Sequence, residues 1–244
     1  FSWKTAYIVG GCLGFLLLFM RVGIFESGLF EKNKNEKIRR GDFFMLFNSR
    51  KRFGRYLSCV AIGVPIWFVI GILITFSPEL AKELRVQGEV SAGTSIMMAY
   101  IGLVFGDLGS GLLSQIFKTR KKIVYLFLSQ TLLGVLAYLF LRDITVSTFY
   151  GLCVFLGVAT GYWAIFMTVA SEQFGTNLRA TVTTTVPNFV RGSVVPMTIA
   201  FQFLKQHLSL VQSALALGVF TLIIAAIGAY CLHETYGRDL SFNE

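Results

Sequence analysis

The chain has 244 residues, of which 55% are hydrophobic and only 14% charged, and its mean hydropathy is +0.67. Soluble domains carry about 25% charged residues, so a water-soluble globular protein is excluded and an all-α membrane protein is expected. The net charge of +9 does not point to a nucleic-acid partner, because Lys and Arg collect in the gaps between apolar runs, where orientation in a bilayer places them.

A spanning helix takes roughly 20 apolar residues, and seven stretches qualify, at about 5–25, 55–77, 93–117, 122–141, 146–170, 181–204 and 209–232. The first contains "TAYIVGGCLGFLLLFM". After it comes the long connector "ESGLFEKNKNEKIRRGDFFMLFNSRKRFGR", whose clustered cations and "DFFMLF" patch suit short amphipathic helices lying on a membrane surface; a solvated basic loop is the alternative. The third span places Gly102, Gly106, Ser110 and Ser114 at every fourth position, a small-residue stripe that lets a neighbouring helix approach closely. Cys12, Cys59, Cys153 and Cys231 lie inside apolar segments with no C-x-x-C and no histidine at ligand spacing, so buried free thiols are expected, with neither metal nor cofactor.

Orientation follows from the cations. Sixteen of the 22 Lys and Arg fall on one set of alternate connectors and the tail, and that side is expected to be cytoplasmic. The reading is a multi-pass protein of a cell (inner) membrane with a cytoplasmic C-terminus.

Four separated stretches resemble one family. "RVGIFES" resembles the R-x-x-x-x-E-S signature after the sixth helix of sugar-porter-like transporters of the major facilitator superfamily. "SEQFGTNLR" resembles the E-x-x-P-T-x-x-R signature after the tenth helix, with Gly175 in place of the proline, and "HETYGRDL" resembles the P-E-T-x-G-R-x-L signature after the twelfth. "GLLSQIFKTRKK" resembles, more loosely, the loop between helices eight and nine. The resemblance implies that residues 1–25 are the last helix of an N-terminal bundle, 26–54 a cytoplasmic basic linker, 55–233 a six-helix C-terminal bundle and 234–244 a cytoplasmic tail. Five further helices of the same polypeptide would then be absent from this sequence. It also implies a cytoplasmic ion-pair gate built from Glu26, Arg120, Glu172, Arg179, Glu234 and Arg238. The paired glutamines of sugar porters are missing from "VAIGVPIWFVIGILITF", so a hexose substrate is not expected.

Two ionisable residues lie deep in the spans. Asp107 precedes Lys118 by 11 residues and Arg191 follows Arg179 by 12, which puts both about 16–18 Å from the cytoplasmic edge, near the midplane. No acid lies within ten residues of Arg191. An arginine at that depth costs at least ~2.5–3.5 kcal/mol by insertion scales, so it should face a cavity or a partner. Pro187, Gly192 and Pro196 interrupt the backbone ladder around it. In organic-ion transporters of the same superfamily this slot carries a charge, which by resemblance makes Arg191 an anion-attracting cavity residue. Asp107 is the candidate proton-coupling residue, and Trp67, Tyr162, Trp163 and Asn188 are candidate lining residues.

The expected function is therefore part of a secondary transporter that moves a small organic anion by alternating access. Its partners would be the substrate, the bilayer and the remaining helices. A complete seven-helix receptor or sensor is the alternative, resting only on the helix count. An intramembrane enzyme finds no Ser/His or metal-ligand set to support it.

Overall fold

The computed structural model describes residues 3–21, 41–238, 242 and 244. The chain divides into two compact units, residues 1–38 and 39–244. In the first, α1 (Trp3–Arg21) is apolar on all sides, and every side chain from Lys4 to Met20 is exposed within its own unit. A helix that is hydrophobic all round needs lipid or other protein around it. Glu26 and most of the expected linker, residues 26–40, lie outside the described residues.

The second unit is a helical bundle. A single 3-10 turn (Phe43–Leu46), capped by the Asp42 carboxylate on the Phe44 amide at 3.0 Å, represents the amphipathic linker among the described residues. It buries Leu46 and leaves Phe44 exposed. Next comes α2 (Arg50–Phe68), which begins five residues before the expected second span and continues as a π-helical turn over Val69–Ile74. The widened turn starts four residues after Pro65, which removes one amide from the ladder. The short α3 (Ser77–Glu83) follows, then α4 (Ala92–Ile116), α5 (Lys121–Phe140), α6 (Val146–Thr160), α7 (Trp163–Glu172), α8 (Thr176–Gly192), α9 (Val194–Leu204) and α10 (Leu210–Cys231).

Among the described residues there is no strand, only an isolated bridge between Gln87 and Thr145. Five helical stretches among the described residues are long and apolar enough to cross a membrane: Arg50–Ile74, Ala92–Ile116, Lys121–Phe140, Val146–Glu172 and Leu210–Cys231. The expected fourth and seventh spans match α5 and α10 to within a residue or two, and a Ser209/Gln212 capping box fixes the start of α10.

Two expected spans are broken rods. The fifth ends as α6 at Thr160 and restarts as α7 at Trp163, because Gly161 and Tyr162 leave helical geometry. The sixth is divided into α8 and α9 at Gly192–Ser193. Pro196 then falls in the first turn of α9, where its missing N–H costs little. The break leaves two pieces of 17 and 11 residues, each short of a full span, and α8 is further marked by polar Thr residues. Their hydroxyls donate back to carbonyls four residues earlier, Thr184 to Ala180 at 2.9 Å and Thr185 to Thr181 at 2.8 Å, so the helix stays satisfied without water.

The small-residue stripe on α4 meets glycines on the α6–α7 rod at backbone-to-backbone range. A Cβ on Gly102 would stand 2.0 Å from the Val154 carbonyl oxygen, and one on Gly157 2.0 Å from that of Ala99. A Cβ on Gly161 would stand 2.4 Å from the Gly106 Cα. Away from this seam α4 presents Phe105, Leu108, Leu112 and Ile116, each more than half exposed, as an apolar surface of the kind that faces lipid or another bundle.

Because a backbone clash is not relieved by rotating a side chain, Gly102→Val should destabilise the protein by about 2–3 kcal/mol or more. Gly109→Ala, with open space around it, should change stability by less than about 1 kcal/mol. Thermal unfolding followed by tryptophan fluorescence checks both.

Candidate functional site

Mid-way along the bundle, residues from four elements enclose a cavity of about 270 Å³. Ile66, Trp67 and Ile70 come from α2 and its π-helical extension, Tyr100, Leu103 and Asp107 from α4, Trp163 from α7 and Arg191 from α8. Trp67 and Trp163 meet edge to face with centroids 6.5 Å apart, and the Arg191 guanidinium carbon lies 5.5 Å from the Trp163 ring centroid. A cation over an indole face is favourable by ~0.5–1 kcal/mol at exposed sites and ~2 kcal/mol when desolvated. The Trp67 indole N–H is buried and without an acceptor.

Asp107 sits in the same cavity but does not pair with Arg191. The ion pairs among the described residues are Arg55–Glu244, Arg120–Glu172 and Lys205–Glu79. The Asp107 carboxylate instead accepts from the Ala164 amide at 3.1 Å. It thereby caps the first turn of α7, where orphan amides and the helix dipole favour negative charge. Arg191 is thus exposed, held over an aromatic face, and not neutralised by a carboxylate among the described residues. The cavity offers one fixed cation, one carboxylate already occupied by a helix start, and two indoles, a set suited to a small organic anion with flat apolar surface.

The other two candidate lining residues sit elsewhere. Tyr162 is fully buried, packs on Phe127 and donates its hydroxyl to the Ile62 carbonyl at 2.9 Å, in the core behind Trp163. Asn188 is exposed, donates its amide to the Thr184 carbonyl at 2.9 Å and lines a separate open groove with Phe189, Gly192 and Pro196. The residues that sequence reasoning passed over, Ile66, Ile70, Tyr100 and Leu103, are ordinary apolar side chains whose types carry no chemical signal.

At the end of the bundle carrying "KTRKK" and the tail, the candidate gate residues form a lattice within this unit. Arg120 pairs with Glu172 at 3.3 Å, both side chains only 12% exposed, and Thr235 donates to the other Glu172 oxygen at 2.6 Å. Glu234 caps α5, accepting from the Arg120 amide at 2.9 Å, the Lys121 amide at 3.1 Å and the Thr119 hydroxyl. Lys121 in turn donates to the Tyr230 and Leu232 carbonyls at the end of α10, both at 2.8 Å. Arg179 wraps the α7–α8 turn through the Ser171 and Phe174 carbonyls, and Arg238 stacks over Phe242. Arg55, which in the sequence counts only among the connector cations, binds Glu244 at 2.7 Å and the Gln173 carbonyl at 2.6 Å.

Burial alone would raise the Glu234 carboxyl, but its hydrogen bonds from Thr119 and from the Arg120, Tyr236 and Lys121 amides outweigh that and hold it at about 2. A folded-state value below the ordinary one contributes stability above pH ~4.5, which is lost as pH falls toward 2. Glu234→Ala should therefore lower the melting temperature at pH 7 by about 2–4 °C, as expected for loss of one helix cap. The gap to the parent protein should narrow steadily as melts are recorded from pH 5 down to pH 3.

Residues 1–195 match the family described as Major Facilitator Superfamily. A curated protein of Cupriavidus pinatubonensis (strain JMP 134 / LMG 1197), described as "Probable 4-methylmuconolactone transporter", is 25% identical over 248 aligned positions, covering 97% of this chain. The chain spans 54% of that relative's length. No solved structure gives a significant match. With the family matched over most of its length and the bundle all-helical, the chain belongs to the Major Facilitator Superfamily and is a multi-pass integral membrane protein.

Proposed function

We propose that this chain supplies one side of the substrate site of a secondary active transporter, and that the whole protein carries a small organic anion across a cell (inner) membrane by alternating access. The observation that carries this reading is Arg191, exposed in a mid-bundle cavity, stacked on Trp163 and paired with no carboxylate among the described residues. A guanidinium so placed offers a planar fork to a carboxylate, while Trp67 and Trp163 supply apolar contact. The cavity volume of about 270 Å³ suits a small molecule, and the curated relative is named for transport of a small organic compound.

Residues on the missing bundle would complete the site, and rocking of two halves about it would expose it alternately to each side. The Arg120–Glu172–Thr235 lattice, with Glu234, would hold the cytoplasmic end of this half together, and the sixteen cations that the sequence carries on one set of alternate connectors and the tail support its cytoplasmic placement. Membership in a transporter superfamily leaves the seven-helix receptor reading with only its helix count.

Proton coupling would run through Asp107. Ionised, it caps α7; protonated, it is a weaker partner for the Ala164 amide and the helix dipole. Because α7 begins with Trp163, on which Arg191 rests, loosening that cap would shift the surface presented to the anion.

The test is uptake by the full-length protein in proteoliposomes, with carboxylate and neutral metabolites compared. Arg191→Ala should reduce carboxylate uptake about 10–100-fold, the loss expected for a charge-assisted hydrogen bond, with Arg191→Lys intermediate; undiminished uptake in Arg191→Ala would sink the reading. Asp107→Asn should abolish the acceleration by an inward proton gradient while leaving counterflow intact.

A further inference from the structure

Another cavity in the bundle is larger than the one at mid-depth. A cavity of about 580 Å³ opens at the basic end, between the start of α2 and the end of α10, lined by Arg50, Lys51, Arg55, Cys231, His233 and Arg238 among others. Arg55 is matched there by Glu244 and the Gln173 carbonyl. Arg50 and Lys51 make no ion pair among the described residues, and the contact Arg238 makes is with the Phe242 ring. Three cationic charges around one concavity therefore have no counter-charge among the described residues. The same concavity holds the start of a long helix whose first amides are uncapped: Ser49 stands at the N-cap of α2 without a side-chain hydrogen bond. Positive side chains and an open helix start favour the same ligand, a phosphate.

The outer surface of α10 says where that phosphate comes from. Phe220, Ile223, Ile227 and Tyr230 are each more than half exposed, at spacings that place them along one side of the helix. This apolar stripe runs down to Cys231, which is itself exposed and lines the cavity. A molecule filling both features has acyl chains along the stripe and a negative headgroup among the cations, with Tyr230 at the boundary where aromatic residues concentrate.

We propose that this cavity is a binding site for the phosphate headgroup of an anionic phospholipid, seated between the start of α2 and the end of α10. The site is separate from the mid-bundle cavity and does not depend on what the protein carries. It depends only on the bundle standing in a bilayer.

The test uses the full-length protein in nanodiscs of phosphatidylcholine alone or mixed with phosphatidylglycerol, and reads maleimide modification of Cys231 by peptide mass spectrometry. In the unmutated protein, phosphatidylglycerol should slow Cys231 modification, whereas inorganic phosphate added to phosphatidylcholine discs should not. Arg50→Gln combined with Arg238→Gln should weaken that protection roughly tenfold or more in the lipid fraction required. Lys118→Gln combined with Lys122→Gln, which removes the same charge from exposed positions at the same end, should leave it intact. Equal modification in both lipids, equal protection by inorganic phosphate, or equal loss in the two double variants would each overturn the proposal. The comparison in unmutated protein does not require any variant to fold.

Discussion

The contact on which the rest of the structure depends is the backbone-to-backbone seam between α4 and the α6–α7 rod. Gly102, Gly106, Gly157 and Gly161 let carbonyls and Cα atoms approach to distances that any side chain would prevent. Without water's hydrophobic drive, close packing of small residues is what membrane helices use to associate. The seam also shapes the site. Where Gly161 lies against Gly106, the rod leaves helical geometry and restarts at Trp163, and the fresh helix start is met by Asp107, one residue along α4 from Gly106. Trp163 is thereby held at a defined height, and Arg191 rests on it. Packing, break, cap and cation form one chain of causes.

That chain explains how a cation is kept at mid-depth. A guanidinium facing lipid at the midplane is costly. Here it meets an aromatic face, the open cavity and a broken neighbouring backbone at Gly192–Ser193, while the Asp107 carboxylate in the same cavity is engaged with the start of α7. Were Asp107 paired with Arg191 instead, the site would be electrically closed and would attract an anion weakly. Diverting the carboxylate to a helix terminus leaves the cation available.

Much of the architecture could be read from the residues because bilayer-length helices are a signal of composition and length. "KKIVYLFLSQTLLGVLAYLF" and "LVQSALALGVFTLIIAAIGAYC" declare their own limits through flanking charge and a Ser209 cap. The break at Gly161–Tyr162 is not visible that way, since "VATGYWAIF" is as apolar as an unbroken span; it arises from what Gly161 touches in another helix. The same holds for the site. Trp67, Asp107, Trp163 and Arg191 stand out as polar or aromatic residues at mid-depth, and the fold gathers them around one cavity. Tyr162, next to Trp163 in sequence, lies at the break itself, outside helical geometry, and its ring is buried in the core. Asn188 shares a helical face with Arg191 by spacing, yet its amide turns back onto Thr184.

The two interrupted rods have a shared consequence. Their joints, at Gly161–Tyr162 and Gly192–Ser193, fall beside the same cavity, since Trp163 follows one and Arg191 precedes the other while the two side chains touch. A continuous helix resists bending, whereas one interrupted at a glycine flexes at that point. The cavity is therefore bordered by a pair of elbows lying side by side, one pinned at Gly161 against Gly106 in the glycine seam and the other, at Gly192, with open space around it.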